Sequence, residues 1–160
     1  AERAGRLVGF AITLPLVGTN VQLFDYLAVA EESRSDGVGS ALIRAIVDTL
    51  RADGHTTGLL LEVESDEVDS PADQALRQRR IRFYQRHGAS VIEAALSYCA
   101  PNLAGPGRVP MKLLWLPLNG AANMPAGLAL RELIVQVYEQ GYGRPSDDPL
   151  LQEVLNGLVC

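Results

Sequence analysis

An arginine, a serine and two glycines stand together where a predicted strand gives way to a predicted helix. The segment is Arg34-Ser35-Asp36-Gly37-Val38-Gly39-Ser40. Glycine lets backbone N–H groups approach a ligand closely, and the first turn of a helix carries partial positive charge. The arginine adds a full positive charge. The sequence therefore predicts an anion site in this loop, and a phosphate or pyrophosphate is the anion we expect.

The stretches that must position this loop alternate between strand and helix patterns. Apolar and β-branched runs predict strands over residues 7–14, 21–29, 57–64, 90–99 and 111–118. Apolar residues spaced four apart, or a capping serine followed by proline, predict helices over 37–53, 70–87, 128–139 and up to 158.

These elements predict an α/β fold with a mixed central sheet and helices on both faces. The first two strands are expected to be antiparallel. The unit over residues 21–64 is strand, helix, strand, so its two strands should be parallel with a right-handed connection. The last two strands should form a hairpin-like pair at the sheet edge.

The composition fits one globular domain with an acidic net charge. The 160 residues are 48% apolar and 21% charged, and no apolar run is long enough to cross a membrane. A net charge of −5 argues against nucleic acid and anionic membranes as partners. Cys99 and Cys160 fit neither a disulfide framework nor a metal site, so no metal is expected and the cytoplasm is the expected location.

Two common phosphate-binding loops do not match the segment. The chain has no GxxxxGK[ST] sequence, which excludes a P-loop. Gly37 and Gly39 give the start of a dinucleotide fingerprint, but Leu42 occupies the third glycine position. A nucleotide-binding regulatory module remains an alternative that rests on the glycine turn alone.

The loop resembles the acetyl-coenzyme A motif of GNAT-family N-acetyltransferases, which reads R/Q-x-x-G-x-G/A after a strand. Leu27-Ala28-Val29 followed by Arg34 to Ser40 carries this likeness. Downstream, Arg82-Phe83-Tyr84-Gln85-Arg86-His87-Gly88-Ala89 resembles the family's second signature, at the end of a helix. The resemblance covers residues 7–118 and implies a GNAT-like acyl-CoA N-acyltransferase fold.

The resemblance also implies how acetyl-CoA, as co-substrate, would be held. The N–H groups of residues 36–40 would cradle the pyrophosphate, and Arg34 would add charge. In the family the strand before the loop parts from its neighbour and pairs with the pantetheine arm. Carried over, the pantetheine-binding residues are Leu27, Ala28 and Val29, with the Val29 N–H polarising the thioester carbonyl.

The family's tyrosine acts as general acid toward the coenzyme A thiolate, and Tyr84 is the matching position. The general base is left open between Asp25, Glu62, Glu64 and an ordered water. Alternation along a strand places Glu62 and Glu64 on one face, and a carboxylate at a sheet centre has its pKa raised toward the useful range. Tyr84, Glu62 and Glu64 are the predicted catalytic residues.

The chain departs from the family pattern at both ends. It begins where the family's third strand would be, without the strand and two helices that commonly shape the acceptor side. Residues 1–120 are expected to form the core and 121–160 a helical extension packed on it. The implied activity is acetyl transfer to a primary amine of a small molecule or peptide. A non-catalytic acyl-CoA sensor, or a structural part of a longer polypeptide, is the alternative, and a homodimer is left open.

Overall fold

The computed structural model describes residues 1–67, 70–120 and 123–159, so Cys160 lies outside the described residues. The strands are β1 (Glu2–Arg3), β2 (Arg6–Leu7), β3 (Gly9–Pro15), β4 (Val21–Val29), β5 (Gly58–Glu64), β6 (Ser90–Val91), β7 (Cys99–Pro101) and β8 (Arg108–Pro117). The helices are α1 (Val38–Asp53), α2 (Pro71–Arg86), α3 (Gly127–Gln136) and α4 (Pro149–Asn156). The predicted mixed α/β class is confirmed. Among these residues no helix combines the length and apolar character needed to span a bilayer.

The central sheet has the strand order β3-β4-β5-β8-β6, and β7 is added on β8. Strands β3 and β4 are antiparallel, as predicted. Strands β4 and β5, which α1 connects in the chain, are parallel, also as predicted. Strand β8 runs antiparallel to β5 and to β6. It is therefore an interior strand, and in place of the partner predicted over residues 90–99 it has the two short strands β6 and β7, both antiparallel to it.

Helices cover both faces of the sheet. On one face, which we call the α1/α2 face, Ile43 and Ile81 pack with Leu59 and Leu61 of β5. On the other, the C-terminal face, the helices that follow β8 pack against Leu60. Strand β5 thus alternates between two apolar cores, as a central strand covered on both sides should. The division of the chain into a core and an extension stays a prediction.

The strand predicted over residues 90–99 is wrong. Only Ser90–Val91 pairs with β8, and Glu93–Ala95 forms a 3₁₀ turn closed by the Ala95 N–H on the Ile92 carbonyl at 3.0 Å. Glutamate and alanine have low strand propensity, so this part of the run does not extend the sheet. The turn buries Tyr98, which reaches the site described below.

The third helix also differs from its prediction. α3 ends at Gln136 and continues into a π-helical turn, Val137–Gly141. Gly141 approaches β4 so closely that a Cβ atom there would lie 3.3 Å from the Leu23 side chain. The last helix is capped by Asp148, whose carboxylate accepts from the Leu150 N–H at 2.9 Å.

Candidate active site

Loop 34–37 exposes a row of backbone donors at the start of α1. Gly37 precedes the helix in a left-handed conformation with φ of 80°, and Ser35 has a φ of 71°. The first N–H to find a helical acceptor is that of Ala41, on the Gly37 carbonyl. Within the described residues, the N–H groups of 35–40 have no acceptor. Six consecutive donors without acceptors at a helix N-terminus suit a diphosphate.

The second glycine allows three elements to meet. A Cβ atom on Gly39 would lie 3.3 Å from the Phe83 ring of α2, and 3.7 and 3.8 Å from the side chains of Val29 and Leu27. Any larger side chain would push α1 away from β4 and α2. The glycine thus keeps the donor row beside the end of β4.

The ion pairs around the loop, among the described residues, do not involve Arg34. Asp36 is paired with Arg3 of β1 at 2.7 Å, and Glu32 with Arg6 of β2 at 3.3 Å. Arg34 is exposed and forms no ion pair with the described residues. Its guanidinium is therefore free to pair with an incoming phosphate.

Strand β4 leaves β5 in its second half. The parallel pairing runs from Val21 with Gly58 to Phe24 with Leu61 and ends there. On the other side β4 stays paired with β3 as far as Val29, across a bulge in which Asp25 is the extra residue. A bulge bends its strand and ends local pairing, so Asp25 marks the point where the two strands separate.

The parted strand presents backbone groups to the opening. The Ala30 N–H donates to the Val8 carbonyl at 2.9 Å, so Ala30 points its N–H toward the β3 side. Because successive residues of an antiparallel pair alternate in direction, the N–H groups of Val29 and Leu27 point away from β3 into the opening. The sequence-based expectation of a strand paired on one side only is met in this segment.

The place where β4 and β5 separate, just beyond the pair Phe24–Leu61, is called the fork below. Tyr84 lies at this fork, on the α1/α2 face. Its ring packs edge-on against Phe24, the last β4 residue paired with β5, with centroids 6.0 Å apart. Burial raises the pKa of the Tyr84 hydroxyl, against a smaller opposing effect of Arg80. The hydroxyl makes no hydrogen bond to another described residue, so it is free to donate to a group in the opening.

Glu62 lies at the same fork on the opposite face. It is the first β5 residue beyond the pairing with β4, and it shares the C-terminal face with Leu60. The Tyr98 hydroxyl donates to its Oε1 at 2.5 Å. The Tyr142 hydroxyl lies 2.9 Å from Oε1 and 3.0 Å from Oε2.

These surroundings raise the pKa of Glu62 into a range in which a carboxylate can act as a base. Burial raises the pKa of Glu62 to about 6, the hydrogen bonds from Tyr98 and Tyr142 oppose the rise, and the negative charge of Asp25 adds to it. Burial and the Glu62 charge raise the pKa of both tyrosines, so each remains a hydrogen-bond donor. A carboxylate with this pKa is ionised at neutral pH yet retains proton affinity.

Glu64 is engaged elsewhere. Its carboxylate pairs with Arg80 of α2 at 2.6 Å and with Arg77 at 3.6 Å, and Arg77 also donates to the Ser65 carbonyl at 2.9 Å. The structure therefore separates Glu64 from the Glu62 cluster, although both lie on β5. The catalytic role of Glu64 stays a prediction, and its ion pairs favour Glu62 instead.

Sequence reasoning missed the two tyrosines that hold Glu62. Tyr98 follows a 3₁₀ turn that was predicted as strand, and Tyr142 follows the π turn. They stand 36 and 80 residues from Glu62, and no spacing rule connects them. The only signal is their type, since a tyrosine in an apolar stretch needs a hydrogen-bond partner when it is buried.

The chain belongs to the GNAT acetyltransferase family. The model of the acetyltransferase (GNAT) domain matches residues 1–88, more than half of the chain. This match includes the anion loop, the parted strand, Glu62 and Tyr84. A search of the curated proteins gives no match.

Solved structures share the fold. A GNAT-family acetyltransferase from Bacteroides thetaiotaomicron matches with a TM-score of 0.65 and 23% identity over 85% of this chain and 66% of that one. The ribosomal-protein-S18-alanine N-acetyltransferase from Escherichia coli matches with a TM-score of 0.55 and 23% identity over 79% and 71%. An aminoglycoside 6'-N-acetyltransferase solved with coenzyme A matches with a TM-score of 0.55 and 18% identity over 79% and 73%. The chain thus spans just under two thirds of the first of these proteins.

Proposed function

We propose that this protein is an N-acetyltransferase that moves the acetyl group of acetyl-CoA directly to a primary amine. The observation that carries the proposal is the fork between β4 and β5, which has Tyr84 on one face and Glu62 on the other. An acid and a base on opposite faces of one opening suit an acyl transfer between two substrates that enter from opposite sides.

The residues of the loop and of β4 would hold the acyl donor. The six free N–H groups of residues 35–40 and the Arg34 guanidinium suit the pyrophosphate, and the N–H groups of Leu27 and Val29 suit the amide-bearing pantetheine arm. Acetyl-CoA supplies the acetyl group as an activated thioester. The Val29 N–H would then donate to the carbonyl oxygen, on which negative charge develops during attack.

Glu62 and Tyr84 would move the two protons. The amine nitrogen forms a bond to the carbonyl carbon, the carbon–sulfur bond breaks, and the electron pair goes to the thiolate. An amine that arrives protonated first releases one proton to water, and the Glu62 carboxylate accepts the second proton, which the neutral nitrogen loses on forming the bond. The Tyr84 hydroxyl, which its raised pKa keeps protonated, gives its proton to the thiolate. The product coenzyme A leaves as the thiol, and exchange with water takes the proton from Glu62 and returns one to Tyr84.

A thiol-release assay with acetyl-CoA and a panel of primary amines tests the proposal. Glu62→Gln and Tyr84→Phe should each lower kcat by about 100-fold or more, since general acid–base groups contribute on that order. Glu64→Gln is the matched control for the first variant and Tyr138→Phe for the second. Glu62→Gln and Tyr84→Phe should bind coenzyme A like the parent in calorimetry, because neither Glu62 nor Tyr84 belongs to the pyrophosphate loop.

Two results would contradict the proposal. Absence of turnover together with absence of coenzyme A binding would defeat it entirely. Coenzyme A binding with no turnover of any amine would support the acyl-CoA sensor instead. The nature of the amine, the cytoplasmic location and a homodimer stay predictions.

A further inference from the structure

An apolar platform lies on the C-terminal face of the sheet, the face that also carries Glu62. It consists of Phe10 and Ile12 of β3 and Tyr26 of β4, which are 42%, 46% and 54% exposed. The Phe10 and Tyr26 rings are stacked, with centroids 5.7 Å apart and planes 18° from parallel. Large apolar side chains exposed side by side mark a binding surface more often than isolated ones do.

The register places the platform at the mouth of the fork. Ile12 pairs with Tyr26, and Tyr26 directly follows Asp25, the residue at which β4 leaves β5. Among the described residues, the α3–α4 segment packs on this face as far as Leu23, whereas Phe10, Ile12 and Tyr26 beyond the bulge are exposed. The opening thus separates the platform from Glu62 on the same face of the sheet.

The charge next to the platform is negative. Asp25 is exposed, and its charge contributes to the raised pKa of Glu62 and of Tyr142. Asp25 forms no ion pair with the described residues. A protonated amine is therefore attracted to this mouth, while an anionic acceptor is repelled.

From these observations we propose the acceptor class, a step that rests on the proposed function. The acceptor is a cationic primary amine joined by a short linker to an aromatic ring. Its ring lies on the Phe10–Tyr26 platform, and its nitrogen extends past Asp25 to the Glu62 carboxylate. The stacked pair gives a third ring a flat apolar surface, and the carboxylates complement the ammonium group.

The test compares 2-phenylethylamine with propylamine, which lacks the ring. The parent protein should give the aromatic amine a kcat/KM at least about tenfold higher, as stacking plus burial of a ring predicts. Phe10→Ala should reduce the ratio of the two kcat/KM values by about fivefold to tenfold. Comparing ratios cancels the different basicities of the two amines. Val17→Ala, an exposed apolar residue on the turn after β3, is the matched control and should leave the ratio unchanged.

A binding measurement separates the inference from catalysis. Calorimetry of 2-phenylethylamine with the protein saturated with coenzyme A, which carries no acetyl group, should show binding that Phe10→Ala weakens. Turnover of both amines with equal kcat/KM would overturn the inference and leave the proposed function standing. Turnover of neither would count against the proposed function. If Phe10→Ala changed the oligomeric state seen by light scattering and not the ratio, the platform would be a contact between two copies, and the inference would be wrong.

Discussion

Replacing Tyr142 by phenylalanine should move the pH dependence of the reaction in a defined direction. The variant removes the hydroxyl that lies 2.9 and 3.0 Å from the two Glu62 oxygens and keeps the ring. This hydrogen bond favours the ionised carboxylate and so lowers the pKa of Glu62 against the effect of burial. Without it, the pKa of Glu62 must rise above about 6.

The size of the shift follows from the strength of the bond. A hydrogen bond to a charged acceptor is worth about 1 to 1.5 kcal/mol more than one to the neutral form, which corresponds to about one pKa unit. If Glu62 must be ionised to act as base, its ionised fraction at pH 6 falls from about one half to about one tenth. The variant should therefore show about fivefold lower kcat/KM at pH 6 and nearly the parent value at pH 8.5.

The assay is kcat/KM for one amine measured from pH 5 to 9 by thiol release. Dividing the variant's value by the parent's at each pH removes the contribution of the amine's own titration. Tyr138→Phe is the matched control, because its hydroxyl donates to the Cys99 carbonyl at 2.5 Å and its ring contacts both Tyr98 and Tyr142. An equal loss at every pH, or the same shift in Tyr138→Phe, would refute the argument that Glu62 is the base.

Three further variants test other parts of the site and fold. Glu62→Gln should raise the free energy of unfolding at pH 8 by about 2 kcal/mol. The reason is that the pKa of Glu62 rises from 4.5 to about 6 on folding. The stability of the parent protein therefore falls as the pH rises through this range, and glutamine, which does not ionise, avoids the loss. Gly39→Val should weaken coenzyme A binding by about tenfold in calorimetry, since the side chain would be forced against the Phe83 ring. Gly58→Ala should lower the free energy of unfolding in urea by about 1 to 3 kcal/mol, because a Cβ atom there would overlap the buried ring of Trp115.

Each of these expectations has a result that contradicts it. The Glu62→Gln variant should show no gain at pH 4, so an equal gain at both pH values would point to a packing effect. Gly105→Val, in a loop where a Cβ atom would have no neighbour closer than 3.9 Å, is the control for Gly39→Val and should bind coenzyme A normally. A loss below about 0.5 kcal/mol in Gly58→Ala would show that the Trp115 ring can move aside.

The local part of the site could be predicted from the sequence. The anion loop depends on glycine at positions that need a positive φ or a close approach, and these requirements are visible in Gly37 and Gly39. The parallel pairing of β4 and β5 follows from the strand–helix–strand order. The family resemblance then identified residues 27–29 as the parted segment.

The remote part of the site could not be predicted. Tyr98 and Tyr142 approach Glu62 through a 3₁₀ turn and a π turn, and neither has a periodic signature in the sequence. The alternation of side chains along the strand placed Glu62 and Glu64 on one face. It could not show that two arginines of α2 form ion pairs with Glu64. Ion pairs and hydrogen bonds between distant segments depend on packing, which the pattern of one strand does not contain.

A crystal structure of the protein with coenzyme A tests the central claim most directly. The account predicts pyrophosphate oxygens about 3 Å from the N–H groups of residues 35–40. It also predicts that the pantetheine arm pairs with the backbone of Leu27 and Val29, and that the sulfur lies at the fork beside Tyr84. Coenzyme A bound outside the opening between β4 and β5, or a strand β4 that closes onto β5 along its whole length, would contradict it.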